Sequence, residues 1–527
     1  MARWCSSWTS PCARTKMAGL SRNSVARLTD HMPHNFELDT LKIRIADPKL
    51  APLELRVRVQ RALRQLILDG VLAPGSRLPA TRTLAQSLGV SRDTVEMAYV
   101  QLQLDGYIVR REGSGSFVSE KIGPSLRGTR TRKANLAGLP PRADGAVALS
   151  ARGADILASG GVADQQEVKA FATGLPETRT FPMNIWERLQ RQALKDYRPS
   201  ALLHGDPQGA EPLRQAIAGY LNLERGAKVT ADQVLVLSST RQALFLCAQV
   251  LVDAGKPILM EDPGYFGARK AFELAQLKIV PVPVDEKGLR TDRLYADTSG
   301  ASTLYVTPSH QYPTGATLAL ERRLELTTWA AERQGWIIED DYDSQFHYEG
   351  LPTACVQGVD KYNRTIYLGT FSKSLFPGLR MGYMVLPQEL VKPMSYARSI
   401  LDGHTPQLAQ LTLARFIEDG HFGAHIRAMR KIYAVRREAM AHAVERHLSP
   451  IVTARLPPGG LNMPCVLAEG WSEPETIRQA ARAGILLPGL SRLYATPPAV
   501  GGWLLGFAAL TPHEIETAIQ RLVKAIT

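Results

Sequence analysis

From about residue 168 onward, five short apolar runs alternate with helical stretches: QVLVLS, PILMED, STLYVTP, GWIIED and TIYLG. Alternation of this kind means parallel strands joined by helical crossovers, in a sheet covered on both faces. It predicts an α/β domain for this part of the chain and excludes a helical bundle or a β-sandwich. In such sheets a site forms at the carboxyl edge, where the loops leaving the strands gather. A group with chemistry follows each run. Ser239, Thr240 and Arg241 follow the first, Tyr265 the second and SHQYPTG (Ser309 to Gly315) the third. The fourth ends in carboxylates, and Lys373 follows the fifth.

The last two carry the most information. GTFSKSLFPGLR, from Gly369 to Arg380, sets Lys373 among small and hydroxylated residues, with a guanidinium further along. A lysine that condenses with an aldehyde needs uncluttered surroundings, and a phosphate needs hydroxyls, backbone N–H groups and an arginine. Upstream, WIIEDDYDS places Asp340 and Tyr342 two residues apart, on one face of a strand. A carboxylate there can hold the proton on a pyridine nitrogen, and a phenol can bond the ring oxygen. Together these residues point to pyridoxal 5′-phosphate (PLP). Lys373 is the Schiff-base lysine, Asp340 and Tyr342 contact the ring, and Ser372 and Arg380 lie at the phosphate. Taken singly, each has a plainer reading. A lysine among serines is usually solvated, and Ser239 and Thr240 cap a helix as readily as they bind phosphate at its N-terminus. A lone tyrosine such as Tyr265 packs in a core as readily as it stacks on a pyridine ring.

With 527 residues, the chain exceeds one ordinary domain. Residues 1–165 hold 24 Lys and Arg against 14 Asp and Glu, a net of +10 out of +13 for the whole. A basic front suits a polyanion partner, or a basic disordered tail; composition is compatible with either. Periodicity favours the partner. Leu55, Val59, Leu63, Leu66 and Ile67 fall at helical spacing. A second helix ends at Gly89, and Ser91 caps a third with Val95, Ala98, Tyr99 and Leu102 inward. YIVRREGSGSFVS then reads as a hairpin. Two helices joined by a tight glycine turn, followed by a basic hairpin with Arg110 and Arg111, make a winged helix-turn-helix for double-stranded DNA. The expected divisions are a disordered N-terminal extension without sustained periodicity (1–48), the DNA-binding domain (49–120), a basic flexible linker (121–165) and the α/β domain (166–527). Five cysteines without metal-ligand spacing, no apolar run long enough to span a bilayer and no signal-peptide core lead us to expect a cytoplasmic protein.

LPATRTLAQSLGVSRDTVEMAYVQL, EDPGYFGARKAF, YVTPSHQYPTG, IIEDDYDSQFHY and GTFSKSLFPGLRMGY occur together in this chain. Over about residues 50–527 it resembles the MocR subfamily of GntR-type bacterial regulators. The resemblance implies an N-terminal α+β winged helix-turn-helix fused to an α/β type I aminotransferase fold, with a large domain and a small C-terminal one. It assigns cofactor attachment to Lys373, the ring nitrogen to Asp340, the ring oxygen to Tyr342, phosphate to Arg380 and ring stacking to Tyr265. On the DNA side it marks Arg82, Ser91, Arg92, Thr94 and the wing glycine Gly113. It also implies a head-to-tail homodimer and an effector that is PLP or an amino compound. Three departures stand out. Ser239-Thr240-Arg241 replaces a glycine turn, Tyr312 replaces the asparagine of transaminases, and GGWLLGFAAL lacks the arginine that holds a substrate carboxylate. Arg492 and Arg455 are the nearest substitutes. The expected function is a PLP-dependent transcriptional regulator; the alternative is a working aminotransferase that carries a DNA-binding module.

Overall fold

The computed structural model describes residues 38–121, 149–162, 167–349 and 353–527, which fall into two compact units divided between Ala146 and Val147. The basic run from Arg127 to Lys133 and most of the N-terminal extension lie outside the described residues.

The first unit comprises α1 (Leu38–Ile45), α2 (Leu55–Leu68), α3 (Thr81–Leu88), α4 (Arg92–Leu104) and a hairpin of β1 (Ile108–Arg111) and β2 (Gly115–Val118). Its caps follow from the sequence. Gly89 takes the left-handed conformation that ends α3, and Ser91 Oγ accepts from Thr94 N at 3.1 Å to start α4. Val59, Leu63, Leu66, Leu84, Val95, Tyr99 and Leu102 bury one face of each of α2, α3 and α4 in a common core. The Tyr99 hydroxyl donates to the Pro79 carbonyl at 2.9 Å and so ties the loop before α3 to α4. The winged helix-turn-helix is therefore built as read. The end of the extension expected to be disordered is instead helical, because Leu41 buries α1 against this core.

The second unit holds an eight-stranded sheet. Its strands are β3 (Val234–Leu237), β4 (Pro257–Asp262), β5 (Lys278–Asp285), β6 (Gly288–Leu289), β7 (Thr303–Val306), β8 (Trp336–Asp341), β9 (Thr365–Thr370) and β10 (Gly382–Val385), in the order β3-β10-β9-β8-β7-β4-β5-β6. All five apolar runs are strands. The sheet is mixed rather than wholly parallel, because β10 pairs antiparallel with both β3 and β9 and β6 pairs antiparallel with β5. β10 arises from MGYMV, a run too short and glycine-broken to stand out. Since β10 reverses direction between β3 and β9, the carboxyl ends of β3, β4, β7, β8 and β9 share one edge. A three-stranded antiparallel sheet, β11 (Val452–Ala454), β12 (Asn462–Leu467) and β13 (Gly502–Gly506), forms the smaller C-terminal part with two long flanking helices, His421–Leu448 and Pro512–Ile526. A short helix, α5 (Ala151–Ser159), lies in the stretch expected to be a flexible linker.

Candidate active site and DNA-binding face

The shared sheet edge gathers the predicted residues. Lys373 lies on the single turn Phe371–Ser374 that follows β9, and its Nζ donates to the Gly174 carbonyl at 2.7 Å. Gly174 has φ +67°, and a Cβ there would stand 2.5 Å from Nζ, so only glycine lets the chain approach the lysine this closely. The Gly174 N–H donates to Asn462 Oδ1 at 3.0 Å. Ser372 N donates to Thr370 Oγ1 at 3.1 Å, which caps the same turn.

The carboxylates at the end of β8 diverge sharply in their partners. Asp340 is buried, and its Oδ2 accepts from the Tyr305 hydroxyl at 2.8 Å. Its Oδ1 is buried with no hydrogen-bond partner among the described residues. Burial pushes the Asp340 carboxyl up to about 7; the Tyr305 bond opposes this, Asp341 and Asp343 add to it, and Lys373 opposes it. Asp341 points elsewhere: its Oδ2 accepts from Arg225 Nε at 2.9 Å and from the Tyr367 hydroxyl at 2.6 Å. Burial raises Asp341, but the Arg225 guanidinium, the Ser344 and Tyr367 hydroxyls and His310 together hold the carboxyl below the usual range. Asp343 Oδ1 lies 2.8 Å from His310 Nδ1, and burial raises its carboxyl against the pull of that histidine. Asp340 and Asp341 each have one oxygen held by a tyrosine and one buried without a hydrogen-bond partner among the described residues, but Asp341 is also held by a guanidinium and Asp340 is not.

Tyr342 lies just past the end of β8 rather than within it, and its hydroxyl donates to the His310 carbonyl at 3.0 Å. Tyr265, Tyr312 and Tyr342 form a row of edge-to-face contacts, with centroid separations of 5.7 and 6.0 Å. Such a row offers flat apolar surface beside polar tips. At the far end of the sheet edge, Ser239 caps the helix Thr240–Leu251 by accepting from Gln242 N at 3.2 Å, with Thr240 as first helical residue. A helix N-terminus of this kind favours an anion. Arg241 Nη1 reaches the Val162 carbonyl at 3.4 Å. Arg380 is exposed and left-handed, with φ 50°, at the turn into β10. No ligand is needed to see the fit. A buried carboxylate oxygen waits for a donor, a lysine stands at the same edge, and a helix start and an arginine lie beyond it.

Sequence reasoning missed Tyr305, Gly174, Asn462 and Arg225, which reach the site from distant segments. Near the C-terminus, β13 carries no arginine, as read. Arg492 lies with its guanidinium 5.7 Å from the centre of the Phe266 ring, close enough to Tyr312 to act on its phenol.

In the first unit, Arg82, Ser91 and Arg92 are exposed at the starts of α3 and α4, and Thr94 is half-buried beside them. Gly113, at φ +70°, turns the wing. The wing arginines are paired: Arg110 Nη1 lies 2.6 Å from Glu96 Oε1, and Arg111 lies 3.4 Å from Glu120.

The family model of class I and II aminotransferases matches residues 175–522, and that of the gntR family of bacterial regulatory proteins matches residues 55–118. The probable rhizopine catabolism regulatory protein MocR of Rhizobium meliloti is 35% identical over 478 residues, covering 90% of this chain and 94% of that protein. The chain belongs to the MocR subfamily of GntR-type regulators. Another relative of this MocR-type chain is the uncharacterized HTH-type transcriptional regulator YdeL of Bacillus subtilis. It is 33% identical over 473 residues, covering 90% of this chain and 97% of YdeL. Among solved structures, the α-aminoadipate aminotransferase LysN of Thermus thermophilus, complexed with N-(5′-phosphopyridoxyl)-L-leucine, superposes with TM-score 0.63 at 29% identity. That likeness covers 68% of this chain and 92% of LysN. The second unit therefore has the type I aminotransferase fold, and the cofactor of this MocR-type domain is PLP.

Proposed function

We propose that this chain is a cytoplasmic, DNA-binding transcriptional regulator whose aminotransferase-like domain serves as a sensor. The observation that carries the cofactor assignment is the open, buried Oδ1 of Asp340 on the same sheet edge as Lys373. When bound, PLP supplies an aldehyde that primary amines attack and a cationic ring that withdraws electrons. In this reading Lys373 holds the cofactor covalently, Asp340 its ring nitrogen and Tyr342 its ring oxygen. Tyr265 covers the ring, and Ser239, Thr240, Ser372 and Arg380 bind its phosphate. Arg82, Ser91, Arg92, Thr94 and Gly113 form the DNA-binding face, with Arg82 and Arg92 on phosphates or guanine edges. The working divisions are residues 49–120 for DNA, 121–165 as connection and 166–527 for the cofactor. The active species is a homodimer.

The Lys373 contact suggests how sensing operates. Condensation with an aldehyde would leave the Lys373 nitrogen at most one of the ammonium's three N–H donors, which weakens or redirects its bond to the Gly174 carbonyl, so the Gly174 segment has different contacts in the two situations. A difference of that kind is what an effector needs in order to shift a population. A PLP-dependent change in DNA affinity, measured on the gene's own upstream region with and without candidate amines, tests the reading. The same affinity under all conditions would refute it. A second reading, turnover as an aminotransferase, draws on Arg492 beside Tyr312 as a substitute for the missing carboxylate arginine. Sustained keto-acid production from a panel of amino acids, at about 1 per second or faster, would favour it.

A further inference from the structure

Tyr305 stands on β7, paired in register with Ile338 on β8, so Asp340 lies two residues further toward the carboxyl edge. Two strand residues span about 6–7 Å, a gap that a phenol can bridge along the sheet face. The tyrosine is fully buried, and its ring is braced edge-to-face by Phe272 at 5.8 Å. Burial and the adjoining carboxylate push the phenol well above 10, so it stays protonated and acts as the donor to Asp340 Oδ2. Because Oδ2 is held, the carboxylate cannot rotate, and Oδ1 keeps its open direction.

We propose that Tyr305 is a positioning residue for the cofactor site: its hydroxyl fixes the rotation of Asp340 and keeps that carboxylate anionic, so that Oδ1 receives the ring nitrogen as a charged acceptor. The proposal rests on Asp340 being the ring-nitrogen partner. The groups that face Asp340 explain why it needs help. Asp341 on its own strand, Asp343 just beyond and Glu261 on β4 are carboxyls, and Tyr342 is a protonated phenol; Lys373 is the one cation acting on it in this set. Burial and these carboxyls favour the protonated acid. The Tyr305 bond is the largest influence the other way. A protonated Asp340 would offer the ring nitrogen no charge.

Pyridoxamine 5′-phosphate is the suitable probe, because it has the ring and phosphate but no aldehyde, so its binding does not require deprotonated Lys373. With the full chain, its affinity should climb up to about tenfold per pH unit as pH rises, and level off near 7, where Asp340 is ionised before binding. In Tyr305→Phe the levelling point should move up by about one to two pH units. The loss should be about 5- to 50-fold at pH 7 and shrink at higher pH. Phe272→Leu, which loosens the ring's packing without touching the hydroxyl, should leave the levelling point in place. Replacing Tyr305 with 3-fluorotyrosine retains the shape and strengthens the donor, so the levelling point should move down; this variant serves if the phenylalanine variant does not fold. A pH-independent loss in Tyr305→Phe, or a levelling point that vanishes in Glu261→Gln while Tyr305→Phe leaves it in place, overturns the proposal. If Asp340→Asn binds the probe as tightly as the wild type, the assignment of Asp340 itself fails. If Asp340→Asn weakens binding and neither Tyr305 variant moves the levelling point, only the role of Tyr305 fails.

Discussion

Replacing Arg225 with methionine should destabilise the aminotransferase-like domain by about 3–5 kcal/mol, the usual cost of stranding one partner of a buried ion pair. Arg225 Nε lies 2.9 Å from Asp341 Oδ2, and the two side chains are 5% and 0% exposed, so solvent screens the pair little. Arg225 Nη2 also donates to Ser309 Oγ at 2.8 Å, which anchors the start of the loop that carries His310 and Tyr312. In Arg225→Met, the Tyr367 hydroxyl remains on Asp341 Oδ2, but burial acts on the carboxyl without the guanidinium. Urea unfolding followed by tryptophan fluorescence, which reports the buried Trp329 and Trp503, measures the loss. Adding Asp341→Asn removes the stranded charge, so the double variant should lose less than the sum of the singles by at least about 1 kcal/mol. The pH dependence has a definite sign. Asp341 is depressed in the folded state, so the pair stabilises fully above the unfolded aspartate value of about 4 and is lost as pH falls through the lower folded value. The gap between wild type and Arg225→Met should therefore narrow in acid. A loss under about 1 kcal/mol at neutral pH, or strict additivity in the double variant, would refute the reasoning.

Among alanine replacements of Asp340, Asp341 and Asp343, Asp340→Ala should reduce PLP retention most at matched folded fraction, since Asp341 is engaged by Arg225 and Asp343 by His310, whereas Asp340 is bonded only by the neutral Tyr305 hydroxyl; equilibrium dialysis ranks the three, and Asp341 or Asp343 ranking first would contradict the assignment. Gly174→Ala should slow PLP capture and cost about 1–2 kcal/mol, because φ +67° is strained for alanine and the new Cβ would displace Lys373; stopped-flow absorbance and a thermal melt read the two effects. Arg92→Ala should weaken DNA binding by about 1–3 kcal/mol, with affinity falling steeply as salt is added. Arg110→Ala should weaken DNA binding less, because Arg110 is already engaged by Glu96 at 2.6 Å; gel shifts at two salt concentrations compare the pair.

Local signals carried far in this sequence. Gly89, Ser91 and Gly113 announced the helix end, the helix start and the wing turn because a cap or a positive φ depends on residues within a few positions. The five apolar strand runs were legible for the same reason, and so was the lysine turn after β9. What depends on distant partners was not. The Arg225–Asp341 pair, the Tyr305 hold on Asp340 and the Gly174 bond to Lys373 each join segments that only the folded sheet edge brings together. The wing arginines show a related limit: a basic run looks available until a neighbouring helix supplies Glu96. α5 was hidden in a stretch rich in glycine and alanine, with no buried face to give it a period.

PLP attachment at Lys373 is the decisive point. Full-length protein loaded with PLP, reduced with borohydride and digested, should carry the pyridoxyl mass on the peptide containing Lys373, and Lys373→Ala should carry none. A pyridoxyl group on another lysine, or protein that stays colourless and unmodified in excess PLP, would contradict it.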